Sequence, residues 1–190
     1  MDEKYDISHI SRLRMGTDGK GIRTLILLHG CLLRCKYCLN PFTWDEMGKH
    51  ERLSVREVYD RIALDTPYFL ATEGGITFGG GEPLLQPKLI NQMRELFEPE
   101  VTMNVETSLH VKWENIEEIL NSVDLFYVDI KSTFPDVYQS YTGNEIEVVF
   151  ENLKKLLAAK GADAIVGGFR KYQNLWIVRC RKSLKKHWKY

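Results

Sequence analysis

The sequence predicts an α/β fold, a partial (β/α) barrel of about five parallel strands. Short apolar runs alternate with helix-like stretches along the 190 residues, and polar clusters follow four of these runs directly. Alternation of this kind produces parallel strands joined by right-handed crossovers. The same pattern allows one alternative, a doubly wound open sheet.

Each predicted element has a local signal. The predicted strands are the apolar runs at 23–29, 75–78, 101–105, 125–130 and 162–166. One helix begins after Ser54, where Glu57 completes a capping box, and another begins at Pro87, which suits a first helical turn. Apolar spacing predicts further helices over 113–120 and 147–160, the second ended by Gly161.

Composition indicates a soluble globular protein with 44% hydrophobic and 27% charged residues. No apolar run approaches the ~18 residues that span a membrane, and residues 1–14 lack the apolar core of a signal peptide. We therefore expect a cytoplasmic location, where thiols stay reduced, and no membrane partner.

The formal net charge of zero hides an asymmetry, because residues 166–190 contain eight Lys or Arg and no acid. We expect one domain over 1–166, an atypical basic tail over 167–190, and an open sheet edge at Val166. Aromatic residues interleave with the basic ones in this tail: Tyr172, Trp176, Trp188 and Tyr190. A short basic tail is a weak signal for nucleic acid, which is not the expected partner.

Cys31, Cys35 and Cys38 lie within eight residues, after the first predicted strand. A four-iron, four-sulfur (4Fe-4S) cluster normally takes four cysteines, so three would leave one iron open to a substrate or cosubstrate. The alternative is zinc, completed by His29, His50 or Cys180. No second paired-cysteine or paired-histidine motif supports it, and the spacing favours iron–sulfur.

Polar residues follow the next three predicted strands. In the run 79–83, glycines allow a ligand close to the backbone, and the carboxylate of Glu82 could grip an ammonium group. Glu106 with Thr107 and Asp129 with Lys131 end the two strands that follow. Parallel α/β folds place their active sites at the edge formed by the carboxyl ends of the strands, so these acids are candidates for ligand or cation binding.

In combination, these motifs resemble the radical S-adenosylmethionine (radical SAM) superfamily and, within it, the enzymes that activate glycyl-radical enzymes. The resemblance covers about residues 15–165. The motifs that carry it are the cysteine run with Tyr37 before its last cysteine, Gly80–Pro83, Asp18–Arg23, Asn40–Asp45, Glu106–Thr107, Asp129–Lys131 and Thr142–Gly143.

This sequence departs from the family pattern at several positions. Lys20 stands where the family usually has proline, Leu39 where a histidine often follows the cysteines, and Glu106 where aspartate is common. No extra cysteines lie between the first strand and the first helix, which argues against activases with additional clusters. Relatives continue with a further helix and a sixth strand that the tail does not match, so we expect an altered C-terminus.

The resemblance implies a cofactor set and a site. Cys31, Cys35 and Cys38 would hold the 4Fe-4S cluster. The residues implied to bind S-adenosylmethionine or a nearby cation are Tyr37, Gly80, Gly81, Glu82, Asp129 and Lys131. Glu106 and Thr107 match the ligand positions of a monovalent cation in relatives.

The resemblance also implies partners. Reduced flavodoxin or ferredoxin would supply one electron, and a 5′-deoxyadenosyl radical would take a hydrogen from a glycine of a pyruvate formate-lyase type enzyme. One alternative is an activase of anaerobic ribonucleotide reductase. The alternative from another class is a zinc-stabilised nucleic-acid-binding module.

Overall fold

A computed structural model describes residues 3–45, 47–171 and 174–179. Its strands are β1 (Lys4–Met15), β2 (Ile22–Leu28), β3 (Glu51–Ser54), β4 (Gly75–Gly80), β5 (Thr102–Thr107), β6 (Leu125–Ile130), β7 (Ile165–Lys171) and β8 (Asn174–Arg179). Its α-helices are α1 (Val55–Ile62), α2 (Thr66–Thr72), α3 (Pro87–Leu96), α4 (Trp113–Glu117), α5 (Pro135–Thr142) and α6 (Glu147–Lys160).

The strands form one sheet in the order β3-β1-β2-β4-β5-β6-β7-β8. Strands β2, β4, β5, β6 and β7 are neighbours and run parallel, so the prediction of five parallel strands is confirmed. The register aligns Leu28 with Gly80 and Thr107 with Val128, which brings the carboxyl ends of the parallel strands to one edge.

The two faces of the parallel strands differ in chemistry because successive side chains point to opposite faces. One face contributes Ile26, Phe78, Val105 and Phe126 to the apolar core. The opposite face carries polar side chains, including buried Arg23 and Thr77. Helices cover both faces of a doubly wound sheet. A polar second face and a sheet that does not close therefore fit the predicted partial barrel.

Most predicted elements are present. The capping box before α1 is complete, with Ser54 N–H donating to Glu57 Oε2 at 2.7 Å and Glu57 N–H donating to Ser54 Oγ at 3.3 Å. Helix α3 begins at Pro87, and α6 spans the predicted residues. Helix α4 ends at Glu117, three residues earlier than predicted, because the chain continues there in turns.

Five elements were not predicted: β1, β3, β8, α2 and α5. Strand β1 pairs antiparallel with both β2 and β3 and buries Tyr5 and Ile7. Its pairing with β2 is irregular at two places, between Ile7 and His9 and between Ser11 and Arg14. Such bulges interrupt the two-residue alternation by which a strand is recognised in a sequence.

The expected open edge at Val166 is wrong. Strand β8 pairs antiparallel with β7, from Val166 opposite Arg179 to Lys171 opposite Asn174. The boundary predicted after residue 166 falls inside β7, and the division of the chain there stays a prediction. Tyr172, Cys180, Trp188 and Tyr190 lie outside the described residues.

Among the helices of the described ranges, none is long and apolar enough to cross a membrane.

A buried carboxylate fixes β1 to the rest of the fold. Asp65, which precedes α2, is fully buried and accepts two hydrogen bonds from Arg12 of β1, at 2.6 and 2.9 Å. Thr24 of β2 donates to the same carboxylate at 2.9 Å. Asp60 forms a contrasting pair, since it and Arg56 lie on the exposed surface of α1.

We expect Asp65→Ala to lower the free energy of unfolding by about 2 kcal/mol, because Arg12 and Thr24 lose a buried acceptor. The matched variant Asp60→Ala removes only an exposed ion pair and should change it by less than about 0.5 kcal/mol. Urea denaturation of both variants measures the difference. Equal losses would contradict the anchoring role of Asp65.

Candidate functional site

A cavity of about 360 Å³ opens at the carboxyl ends of the parallel strands. It is bordered by the loop after β2, the loop after β4 and the last residues of β5 and β6. The sequence-predicted site residues that line it are Cys31, Cys35, Tyr37, Cys38, Gly80, Gly81, Glu106, Thr107, Asp129 and Lys131. Of the predicted site residues, only Glu82 does not line the cavity.

The three cysteines are free thiols with partly exposed side chains. Burial raises the pKa of Cys31 to about 12, and the nearby Glu82 carboxylate acts in the same direction. Burial also raises the pKa of Cys35, although the charge of Lys131 partly opposes this. Both thiols are therefore protonated at neutral pH, and a metal that binds them must release protons.

The donor set at this cavity is three thiols. Within the described residues, no three His, Cys, Asp or Glu side chains are grouped closely enough to hold one metal ion. In a 4Fe-4S cluster each cysteine binds a different iron, so thiols spaced around a cavity suit it. A structural zinc ion needs four ligands around one point.

The proposed histidine ligands of zinc lie elsewhere. The rings of His29 and His50 stack on each other with centroids 4.1 Å apart, and neither lines the cavity. His29 Nδ1 lies 3.1 Å from Ser8 Oγ, and His50 Nδ1 lies 2.9 Å from the carbonyl of Gly48. Burial, together with the neighbouring His50, lowers the pKa of His29. Cys180 lies outside the described residues.

The loop after β4 packs directly against the start of the cysteine loop. Gly81 N–H donates to the carbonyl of Leu28 at 3.0 Å, and Glu82 N–H donates to that of Gly30 at 2.7 Å. A Cβ atom on Gly81 would lie 2.1 Å from the Gly30 oxygen. Gly80 has a φ of +99°, which other residues rarely adopt. Both glycines are therefore required by the backbone geometry beside the cavity.

Glu82 is 1% exposed and points into the protein. Its Oε1 accepts a hydrogen bond from the Thr107 hydroxyl at 2.7 Å, and its Oε2 accepts from the N–H and hydroxyl of Ser108 at 3.0 and 2.7 Å. Burial raises the pKa of Glu82 above its ordinary value, and these hydrogen bonds only partly oppose the increase. The carboxylate thus joins the loop after β4 to the end of β5.

Ser108 lines the cavity, and sequence reasoning missed it. Its position directly after Thr107 at a strand end was the available signal. The Thr107 hydroxyl donates to Glu82 and also accepts from Leu109 N–H at 2.9 Å. Two of its hydrogen-bonding positions are therefore already used inside the protein.

Two carboxylates face the cavity. Glu106 makes no hydrogen bond or ion pair within the described part of the chain. Burial raises its pKa to about 7, Asp18 adds to the increase and Arg14 opposes it. Asp129 Oδ2 accepts a hydrogen bond from Lys131 Nζ at 2.6 Å, which places a positive charge beside the second acid. The cavity wall therefore offers both charges to a zwitterionic ligand.

The segment Asp18–Arg23 packs on the polar face of the sheet. Arg23 is buried and donates to the hydroxyls of Thr77 and Thr102, each at 2.7 Å, and to the carbonyl of Ile76 at 2.6 Å. Burial lowers the pKa of Arg23 to about 10. The same segment provides Asp18, which pairs with Arg14.

Several known proteins are similar to this chain. A pyruvate formate-lyase-activating enzyme of Clostridium pasteurianum is 40% identical over 126 residues, which are 66% of this chain and 52% of that protein. The enzyme of the same name from Staphylococcus epidermidis is 35% identical over 150 residues, 75% of this chain and 60% of that protein. This chain thus spans little more than half the length of these curated relatives.

The crystal structure of QueE from Escherichia coli aligns with a TM-score of 0.50 at 16% identity, over 87% of this chain and 83% of that one. This likeness concerns the fold alone. The family model of the radical SAM superfamily matches residues 25–171, most of the chain. With the fold, the three thiols and the cavity described above, this match shows that the chain belongs to the radical SAM superfamily.

Proposed function

We propose that this chain is a radical SAM activase of a glycyl-radical enzyme of the pyruvate formate-lyase type. The observation that carries the proposal is the assembly of three separate thiols, a glycine-rich loop and two acids around one cavity. The names of the similar proteins, pyruvate formate-lyase-activating enzymes, favour this over a ribonucleotide reductase activase. Free thiols fit a reducing compartment, so the proposal includes a cytoplasmic location.

Each part of the cavity has a proposed role. Cys31, Cys35 and Cys38 would hold the 4Fe-4S cluster. When bound, it supplies the electron that cleaves S-adenosylmethionine into methionine and a 5′-deoxyadenosyl radical, which takes a hydrogen atom from the partner's glycine. The protein positions these reactants and excludes water. Flavodoxin or ferredoxin is the proposed electron donor.

The remaining residues would bind the cosubstrate. The backbone of Gly80 and Gly81 lines the cavity where the amino group of S-adenosylmethionine would approach, and Lys131 offers a positive charge to its carboxylate. Tyr37 lines the same wall, and its hydroxyl donates to the Lys131 carbonyl at 3.1 Å. Asp129 and Glu106 are the acids able to contact the amino group or a monovalent cation.

Glu82 and Thr107 take a different role in this proposal. The Thr107 hydroxyl donates to the buried Glu82 carboxylate, so both side chains would support the binding wall. The Glu82 carboxylate would not contact the ligand itself. A buried carboxylate that accepts several hydrogen bonds is held rigidly, which suits a wall that must keep its shape during binding.

The test is an anaerobic assay of the reconstituted chain with S-adenosylmethionine and reduced flavodoxin, with and without pyruvate formate-lyase. We expect 5′-deoxyadenosine in both mixtures and a glycyl-radical electron paramagnetic resonance (EPR) signal only when the partner is present. A chain that carries its cluster but never forms 5′-deoxyadenosine would overturn the proposal. Cleavage without a glycyl radical would retain the cleavage chemistry and exclude this partner.

Single replacements of the cysteines test the ligand assignment. We expect wild type to hold about four iron atoms per chain after reconstitution, and Cys31→Ala, Cys35→Ala and Cys38→Ala each to lose most of them, because each thiolate binds a different iron. The matched control is Cys180→Ala, which should retain wild-type iron content. Iron and sulfide analysis measures this, and a dependence on Cys180 would favour a four-cysteine site.

Replacing Glu82 and Glu106 by glutamine, one at a time, should separate the supporting role of Glu82 from the cavity-facing role of Glu106. Glu82→Gln puts an amide N–H against the donors of Ser108, and we expect it to lower the stability of the metal-free protein by about 2 kcal/mol. Glu106→Gln should stabilise the metal-free protein at pH 8, since it removes a carboxylate that burial disfavours. Thermal melting of both variants tests this contrast.

The gain from Glu106→Gln should depend on pH. The folded pKa of Glu106, about 7, lies above its unfolded value, so the folded state is favoured at low pH and this advantage is lost as the pH rises through 7. The gain should therefore be small at pH 5 and reach up to about 3 kcal/mol at pH 8. Equal gains at both pH values would contradict the burial of an ionisable Glu106.

A further inference from the structure

The loop that carries the three cysteines contains little regular structure of its own. Between Cys31 and Cys38 the structure has no helix or strand, and the backbone hydrogen bond within this stretch joins Cys38 N–H to the carbonyl of Cys35 at 3.1 Å. Three thiols must nevertheless be held at defined separations to bind three irons of one cluster. The restraint must come from neighbouring elements.

One neighbour supplies it on both sides of Cys35. Arg34 N–H donates to the carbonyl of Thr142, and Lys36 N–H donates to that of Tyr141, both at 2.9 Å. These carbonyls belong to the last turn of α5, where a helix leaves carbonyl groups without internal partners. The C-terminal end of the helix thus accepts hydrogen bonds from the residues before and after the second cysteine.

Two further hydrogen bonds extend the contact. Asn144, just after α5, donates through Nδ2 to the carbonyl of Leu32 at 3.2 Å. Tyr37 donates to the carbonyl of Lys131, just before α5, at 3.1 Å. Each of the three cysteines is therefore next to a residue that is hydrogen-bonded to the segment 131–144.

Gly143 makes this helix end possible. It ends α5 with a φ of +81°, in the left-handed region, and its N–H donates to the carbonyl of Gln139 at 2.9 Å. The turn brings Asn144 N–H to 3.2 Å from the Thr142 hydroxyl, and Thr142 is fully buried. A residue with a side chain at 143 would strain the turn that presents the two carbonyls.

We propose that the C-terminal turn of α5, residues Tyr141–Asn144, is the positioning element of the cysteine loop, an inference that rests on the proposed function for the identity of the cluster. The turn determines how firmly the three thiols are held before and after the cluster binds. It acts on the loop through the backbone hydrogen bonds of Arg34 and Lys36, and the Tyr141 ring also packs near the Tyr37 ring with centroids 5.4 Å apart.

The chain contains a matched control for a test of this element. Gly161 ends α6 with a φ of +75°, and neither Gly143 nor Gly161 has an atom within 4 Å of an added Cβ. Gly143 has a ψ of 7°, in the left-handed helical region, whereas Gly161 has a ψ of 168°, in a region that is almost restricted to glycine, so Gly161→Ala introduces at least as much backbone strain as Gly143→Ala. Only the first strains the helix end that contacts the cysteine loop.

Hydrogen exchange of the full chain, metal-free and reconstituted, is the first measurement. We expect Gly143→Ala to speed exchange at the Arg34 and Lys36 amides roughly tenfold, the factor that corresponds to the strain of a left-handed alanine. Gly161→Ala should leave these two amides unchanged. Equal effects, or none, at the two amides would overturn the proposal.

The second measurement is the rate at which a chelator removes iron from the reconstituted chain. We expect severalfold faster loss from Gly143→Ala than from Gly161→Ala, although Gly161→Ala strains its own backbone at least as much. If Gly143→Ala fails to fold, Asn144→Ala tests the same contact, and it should also speed iron loss. Exchange in the metal-free chain tests the positioning element even if the chain binds no cluster, so its failure is distinct from that of the proposed function.

Discussion

The site depends on a close backbone contact between the ends of two neighbouring strands. The loop after β4 reaches the first residue of the cysteine loop, where Gly81 lies against Gly30 with no room for a side chain. Two hydrogen bonds, from Gly81 to Leu28 and from Glu82 to Gly30, hold this contact. The positions of the proposed cluster and cosubstrate loops are therefore linked, and neither can shift alone.

From this contact the restraint spreads along the edge of the sheet. The buried carboxylate of Glu82 joins the glycine loop to Thr107 and Ser108 at the end of β5. On the far side, the last turn of α5 holds the middle of the cysteine loop through Arg34 and Lys36. The acids that face the cavity are thus set in a wall in which Glu82, Thr107 and Ser108 are hydrogen-bonded to one another.

Much of the fold was predictable because its signals are local. Apolar runs, the capping box at Ser54 and Pro87 at a first turn depend on neighbouring residues only. Strand β1 was missed because bulges break its alternation, although Arg12 anchors it to the buried Asp65. Helix α5 is short and polar, and only Pro135 at its start and Gly143 at its end indicated it.

In the candidate site, too, features with local sequence signals were predictable, and features that depend on the assembled fold were not. The sequence predicted the cysteines, the two glycines and Glu106 at the cavity, since strand ends and motif spacing are visible along the chain. It could not predict the hydrogen bonds of the buried Glu82 carboxylate, because they depend on the hydroxyls of Thr107 and Ser108. These donors come from the neighbouring strand, and only the assembled sheet brings them to the carboxylate.

We propose that the three cysteines leave one iron of the cluster open to S-adenosylmethionine. The most direct measurement is the EPR spectrum of the reduced, reconstituted chain before and after S-adenosylmethionine is added. We expect a 4Fe-4S signal whose g-values shift on addition, because the cosubstrate would bind the open iron. A cluster signal that the cosubstrate leaves unchanged, or a colourless chain that holds one zinc ion, would contradict it.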